Sequence, residues 1–159
     1  MREEKKPRDE IKSLWIASDH AGFDLKQFLI QASPSLPWRD LGPETNSRVD
    51  YPDFAEKLAN TLKTHPSDFG VLICGSGQGM AIKANRYDHI RAALCWNEEV
   101  AQLARGHNNA NVLCLGSRLL DHELCIKILD TFLSTPFEGG RHADRVNKLK
   151  GNSHATHSI

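Results

Sequence analysis

Between Phe69 and Arg86 the sequence reads FGVLICGSGQGMAIKANR, and no other stretch constrains the fold as tightly. An apolar run, Val71-Leu72-Ile73, stops at Cys74. Glycines follow at 75, 77 and 79, and the residues after them have helical spacing. That is a strand, a glycine-rich turn and a helix, with a thiol where the strand ends. Backbone N–H groups at a helix start have no intrahelical partner and carry positive partial charge, and glycine exposes them, so such a turn suits an anion. The same field favours the thiolate of Cys74 and would stabilise negative charge developing on a small ligand. A plain βα turn beside one buried thiol is the bland reading of the same residues. Counting removes the better-known loops. Met80 stands where a dinucleotide fingerprint needs its third glycine and where a thiol phosphatase loop needs arginine, and no Gly-Lys-Ser/Thr of a P-loop follows.

The rest of the chain repeats the strand–helix alternation. Leu14 to Ala17 is a short apolar run ending at Ser18-Asp19-His20, and Gly22 to Ala32 has helical spacing. Asp19 is either a ligand-facing carboxylate on that turn or the N-cap of the helix. Trp38 to Leu41, between Pro37 and Gly42-Pro43, is a weak second strand. Asp50-Tyr51-Pro52 opens a helix, with Asp50 as N-cap and Tyr51 free to pack or to reach a ligand. Ile90 to Cys95 forms a fourth strand, Asn97 to Arg105 a helix ending at Gly106, Val112 to Leu115 a fifth strand, and Glu123 to Phe132 a further helix. After Gly139-Gly140, Arg141 and Arg145 lie four apart on one helical face.

This pattern predicts an α/β fold, a doubly wound five-stranded parallel sheet with helices on both faces and strand order 2-1-3-4-5. In that arrangement the ligand crevice opens at the carboxyl ends of strands 1 and 3, which brings Asp19-His20 to Cys74-Gly75-Ser76. His107 precedes strand 5 and so belongs to the opposite edge of the sheet. A catalytic His107 would therefore come from a second subunit.

The chain divides into a charged, loosely attached extension over 1–12, one domain over 13–150 and a tail over 151–159. Its 159 residues carry 20 basic and 20 acidic side chains, so no net charge draws it to nucleic acid or an anionic membrane. No run approaches the length of a membrane span and the charged N-terminus has no signal-peptide core, so a cytoplasmic protein is expected. Cys74, Cys95, Cys114 and Cys125 lack metal-binding spacing and read as buried reduced thiols, with Cys74 the exception.

Six segments then carry a resemblance: SDHAGFDLK (18–26), VDYPDFA (49–55), ICGSGQGMAIKANR (73–86), IRAALC (90–95), GHNNANVLCLGSR (106–118) and FEGGRHADRV (137–146). In order and spacing they resemble ribose-5-phosphate isomerase type B, a family that also includes galactose-6-phosphate isomerase subunits. The resemblance implies an aldose–ketose isomerase that interconverts ribose 5-phosphate and ribulose 5-phosphate through an enediol, without metal or cofactor, as a homodimer or a dimer of dimers. It casts Cys74 as the base at carbon 2, and Gly75, Ser76, Gly77, Gln78 and Gly79 as the enediolate cradle. His107, beside Asn108, assists ring opening. Asp19 and His20 bind substrate, with Asp19 shuttling a proton between oxygens, and Arg118, Arg141 and Arg145 hold the phosphate. One branch of the family carries glutamate where this chain has Met80 and lacks the cysteine, which places this chain in the cysteine branch. Two rivals remain open: an isomerase for a six-carbon phosphate of allose or galactose, and a non-enzymatic flavodoxin-like module that binds a phosphorylated metabolite.

Overall fold

A computed structural model describes residues 7–151. Five parallel strands form one sheet: β1 (Leu14–Ser18), β2 (Trp38–Asp40), β3 (Phe69–Cys74), β4 (Ala92–Leu94) and β5 (Val112–Gly116). The helices between and after them are α1 (Phe23–Ala32), α2 (Tyr51–Thr64), α3 (Gln78–Ala84), α4 (Glu98–Gly106), α5 (His122–Ser134) and α6 (Arg141–Asn147).

The strands pack two-faced because side chains alternate along them. Ile16, Val71, Ile73, Leu113 and Leu115 face a core built with Leu25 and Leu29 of α1, Ala101 of α4 and Ile128 and Phe132 of α5. Ala17, Leu72, Cys74, Val112 and Cys114 face the other way, onto Leu58 and Leu62 of α2 and Met80 of α3. The doubly wound, two-faced class expected from the alternation is the one observed.

The strand order is β2-β1-β3-β5-β4, so the last two strands exchange places relative to the expected 2-1-3-4-5. Burial explains the exchange. All five residues of β5 are buried, as an interior strand requires, whereas β4 is three half-exposed residues, short enough for an edge. The crevice is unaffected, because β1 and β3 remain neighbours, with Ser18 opposite Ile73. The chain runs outward from β1 to β2 and returns to β3, which puts the switch point between their carboxyl ends.

The helix starts also refine the reading. Gly22, not Asp19, is the N-cap of α1, and Asp50 caps α2 by backbone position without a side-chain hydrogen bond. Asn97 and Asp121 do cap, accepting from the N–H groups of Val100 and Leu124. Within the N-terminal extension, Pro7–Glu10 form a 3-10 turn, and Arg8 bonds Asp130 of α5 at 2.7 Å, so this part is attached. Residues 1–6, and 152–159 of the tail, lie outside the described residues. No helix among the described residues is long and apolar enough to cross a membrane.

Candidate active site

At the switch point lies a cleft of about 550 Å³ lined by Asp19, Tyr51, Cys74, Gly75, Ser76, Gly79, Ile82, Arg118 and Leu119. Cys74 ends β3 and points to the α2–α3 side, with 4% of its surface exposed. Its sulfur accepts a hydrogen bond from the Gly77 N–H at 3.2 Å. The donor belongs to a residue at φ 77, a left-handed conformation that glycine adopts without steric cost. All four cysteines are free and buried, and burial pushes the Cys95 and Cys125 thiols up to about 12 and raises that of Cys114 well above its ordinary value.

Asp19 begins the loop after β1 and faces the same cleft. Its Oδ1 accepts from the Gly22 N–H at 3.0 Å, and its own N–H bonds the Ile73 carbonyl at 3.1 Å, which fixes the carboxylate beside β3. It is only 7% exposed. Ser76 Oγ lies 3.4 Å from the Gln78 N–H, and Gln78 itself faces an adjoining hollow that includes Trp96. Tyr51, the first residue of α2, packs its ring so closely on Gly79 that a Cβ there would sit 2.6 Å from the ring. Arg118 follows β5, anchors its N–H on the Gly75 carbonyl at 3.0 Å and lays its side chain over Gly75. His20 is absent from the cleft lining, its Nδ1 3.1 Å from the Val49 carbonyl oxygen.

Those residues match a known family over most of the chain. The family model described as Ribose/Galactose Isomerase fits residues 14–149. The chain belongs to the ribose/galactose isomerase family. A probable ribose-5-phosphate isomerase B of Mycoplasma pneumoniae is 48% identical over 139 residues, 86% of this chain and 91% of that one. Among solved structures, the ribose 5-phosphate isomerase of Thermotoga maritima has a TM-score of 0.84 at 48% identity, covering 87% of this chain and 97% of its own. The Mycoplasma genitalium ribose-5-phosphate isomerase B, solved with bound ribulose 5-phosphate, has a TM-score of 0.82 at 44% identity, covering 86% and 93%.

Not every residue that the family resemblance singled out reaches the Cys74 cleft. His107, Asn108, Arg141 and Arg145 are absent from its lining. His107 caps the C-terminal end of α4, at the amino-terminal edge of the sheet. Val112 pairs with Gly70 and Gly116 with Cys74, so the loop before β5 lies a strand length, about 13 Å, from the sulfur. Two arginines clamp that loop: Arg91 Nε bonds the Asn109 carbonyl at 2.7 Å, and Arg105 reaches Asn109 Oδ1 at 3.0 Å and the Ala110 carbonyl. Asn109 sits at φ 47 between them. Asn108 opens onto a separate hollow at the β4 edge with Arg86 and Arg91. Arg141 and Arg145 are exposed on α6.

The structure also brings to His107 two residues that sequence reasoning did not single out, Glu138 and His142. Their signal was the four-residue spacing across Gly139-Gly140, within a segment read only for its arginines. Met80, within α3, is fully buried and is absent from the cleft lining.

Proposed function

We propose that this isomerase-family chain interconverts ribose 5-phosphate and ribulose 5-phosphate through an enediol, with Cys74 as the base. The observation that carries the reading is the Cys74 sulfur at the floor of the switch-point cleft, holding the Gly77 N–H and facing Asp19. Removing a proton from carbon 2 of the open-chain aldehyde sends an electron pair toward the carbonyl, so the chemistry needs a base and anion-stabilising donors in one place. The thiolate takes the carbon 2 proton, the C1–C2 double bond forms and the charge rests on the carbonyl oxygen. The amides of Gly75 to Gly79 and the Ser76 hydroxyl receive that charge. Asp19 carries a proton from the carbon 2 oxygen to the carbon 1 oxygen. The thiol then returns its proton to carbon 1 and the ketone remains.

His107 assists ring opening with Asn108 beside it. The strand-length separation from Cys74 supports a site shared between two copies of the chain, each lending His107, Arg141 and Arg145 to its partner's cleft. We read the protein as a homodimer or dimer of dimers acting in the cytoplasm on a small sugar phosphate. Arg118 on one side and Arg141 and Arg145 on the other present guanidinium forks that match phosphate geometry. Arg141→Ala should raise KM for ribose 5-phosphate about tenfold to a hundredfold, the worth of a charge-assisted hydrogen bond, with kcat largely retained. An unchanged KM would remove Arg141 from the phosphate site.

The substrate is tested by turnover of ribose 5-phosphate against allose 6-phosphate and galactose 6-phosphate. Ribose 5-phosphate should react fastest. A six-carbon sugar reacting faster would shift the assignment within the family, and inactivity toward all three would favour a binding module.

A further inference from the structure

Away from the Cys74 cleft, side chains from two regions meet at the end of α4. His107 stacks on His142 in the first turn of α6, with ring centroids 4.2 Å apart and planes 12° from parallel. Glu138, from the loop between α5 and α6, spans both rings. Its Oε1 is 3.6 Å from His107 Nε2 and its Oε2 is 3.4 Å from His142 Nε2. The backbone holds this geometry: the Glu138 N–H donates to the Gly106 carbonyl at 3.0 Å, and the His142 N–H to the Gly139 carbonyl at 2.9 Å. His142 is 6% exposed and its Nε2 has no hydrogen-bond partner, so the carboxylate is the group nearest to satisfying it.

The three side chains offer ligand atoms within 4.8 Å of one another, as a metal site would. Two features argue against that use. Nearly parallel rings, stacked with centroids 4.2 Å apart, hold their nitrogen lone pairs in two separate planes rather than aiming them at one centre. Arg141 and Arg145 also stand near enough to disfavour positive charge at His142. The arrangement suits a proton better than a cation.

We propose that Glu138 and His142 are positioning residues for His107, the stack fixing the plane of its ring and the carboxylate holding its proton on Nε2. The inference rests on the ring-opening role given to His107 above. With the proton on Nε2, Nδ1 is left as the basic nitrogen. Positive charge is disfavoured at His142. Burial lowers its proton affinity, and His107, Arg141 and Arg145 act in the same direction, against Glu138 alone. In this proposal His107, not His142, is the ring that moves the proton. In opening the furanose, it takes the proton from the anomeric hydroxyl, the C1–O bond to the ring oxygen breaks with its electron pair passing to that oxygen, and the proton is delivered there as the aldehyde forms. Nothing is oxidised, and one proton moves from one oxygen to another. The spacing between His107 and the carboxylate is longer than a good hydrogen bond, as catalytic contacts often are before substrate binds.

The test uses the full-length chain and both directions of the reaction. Ribulose 5-phosphate cannot close a furanose, because its 5-oxygen carries the phosphate, so it enters as an open chain. Assays run at enzyme concentrations where turnover outruns spontaneous opening of ribose 5-phosphate. Glu138→Gln and His142→Ala should slow turnover of ribose 5-phosphate by about tenfold to a hundredfold, part of what a whole acid–base group contributes, and slow ribulose 5-phosphate much less. His142→Phe, which keeps a stacked ring, should recover most of the loss of His142→Ala. Equal slowing of both directions would mean that Glu138 and His142 only support the fold and would overturn the inference. So would slowing by His107→Ala with none from Glu138→Gln or His142→Ala. If His107→Ala itself leaves ribose 5-phosphate turnover unchanged, the ring-opening role fails first.

Discussion

Replacing Cys74 by alanine should lower kcat by at least about a thousandfold while the protein stays folded, the loss expected when the group that takes the carbon proton leaves an acid–base mechanism. The fold should tolerate the change, because Cys74 contributes one sulfur atom to a core whose larger members on that face are Leu58, Leu62, Leu72 and Met80. The loss is about 1 kcal/mol at most, below the range for deleting a whole buried aliphatic side chain. Cys74→Ser sharpens the test. Its hydroxyl keeps the Gly77 hydrogen bond but does not ionise near neutral pH, so this variant should be as inactive as alanine while matching wild-type stability more closely. Turnover within tenfold of wild type in either variant would move the base elsewhere. Asp19 is the carboxylate that lines the cleft, and Met80 can take no proton.

The second large effect falls on Gly77. A Cβ there would sit 2.6 Å from Leu94 Cδ1 and 2.9 Å from the Leu115 carbonyl carbon, and φ 77 is itself unfavourable for any residue with a Cβ. Gly77→Ala combines about 1–2 kcal/mol of left-handed strain with about 1–3 kcal/mol of overpacking against backbone that cannot yield. For a chain of this size that is a fall in Tm of roughly 5–15 °C. Activity should fall by more than tenfold in the surviving folded fraction, because the N–H aimed at Cys74 moves with the turn. A variant with wild-type Tm and wild-type kcat would show that the left-handed amide neither shapes the loop nor serves the sulfur.

How far the sequence anticipates these features varies with the range of the interaction. The strand ending at Cys74 and the turn after it are local, written in Val71-Leu72-Ile73 and three spaced glycines, and the structure follows them closely. The meeting of Asp19 with Cys74 was legible too, because a doubly wound sheet fixes which strand ends share the switch point. The order of the last two strands was not. Ala92–Leu94 and Val112–Gly116 are both apolar, and what separates them is which one the helices cover on both faces, a fact of tertiary packing that neither segment records. The capping of α1 shows a related limit. An aspartate just before a helix reads as its cap, but here the chain runs on to Gly22 and Asp19 turns its carboxylate to that residue's N–H. Arg118 was visible only through family resemblance, since nothing in Gly116-Ser117-Arg118 says that the guanidinium folds back over Gly75. The Glu138–His107–His142 cluster joins the end of α4 to the α5–α6 loop and has no local signature beyond a four-residue spacing.

The central claim is a site built from Cys74 of one copy of the chain and His107 of another, and subunit mixing tests it most directly. Cys74→Ala and His107→Ala chains carrying different affinity tags are unfolded together, refolded, and the doubly tagged species is isolated to confirm exchange. Each parent should be nearly inactive toward ribose 5-phosphate. In a mixed dimer one cleft carries both substitutions and the other carries neither, so the isolated mixed species should recover about half of the wild-type rate per dimer, as two-fold symmetry requires. Recovery near that level would place the two residues in one shared site, whereas confirmed mixed dimers no more active than their parents would contradict it.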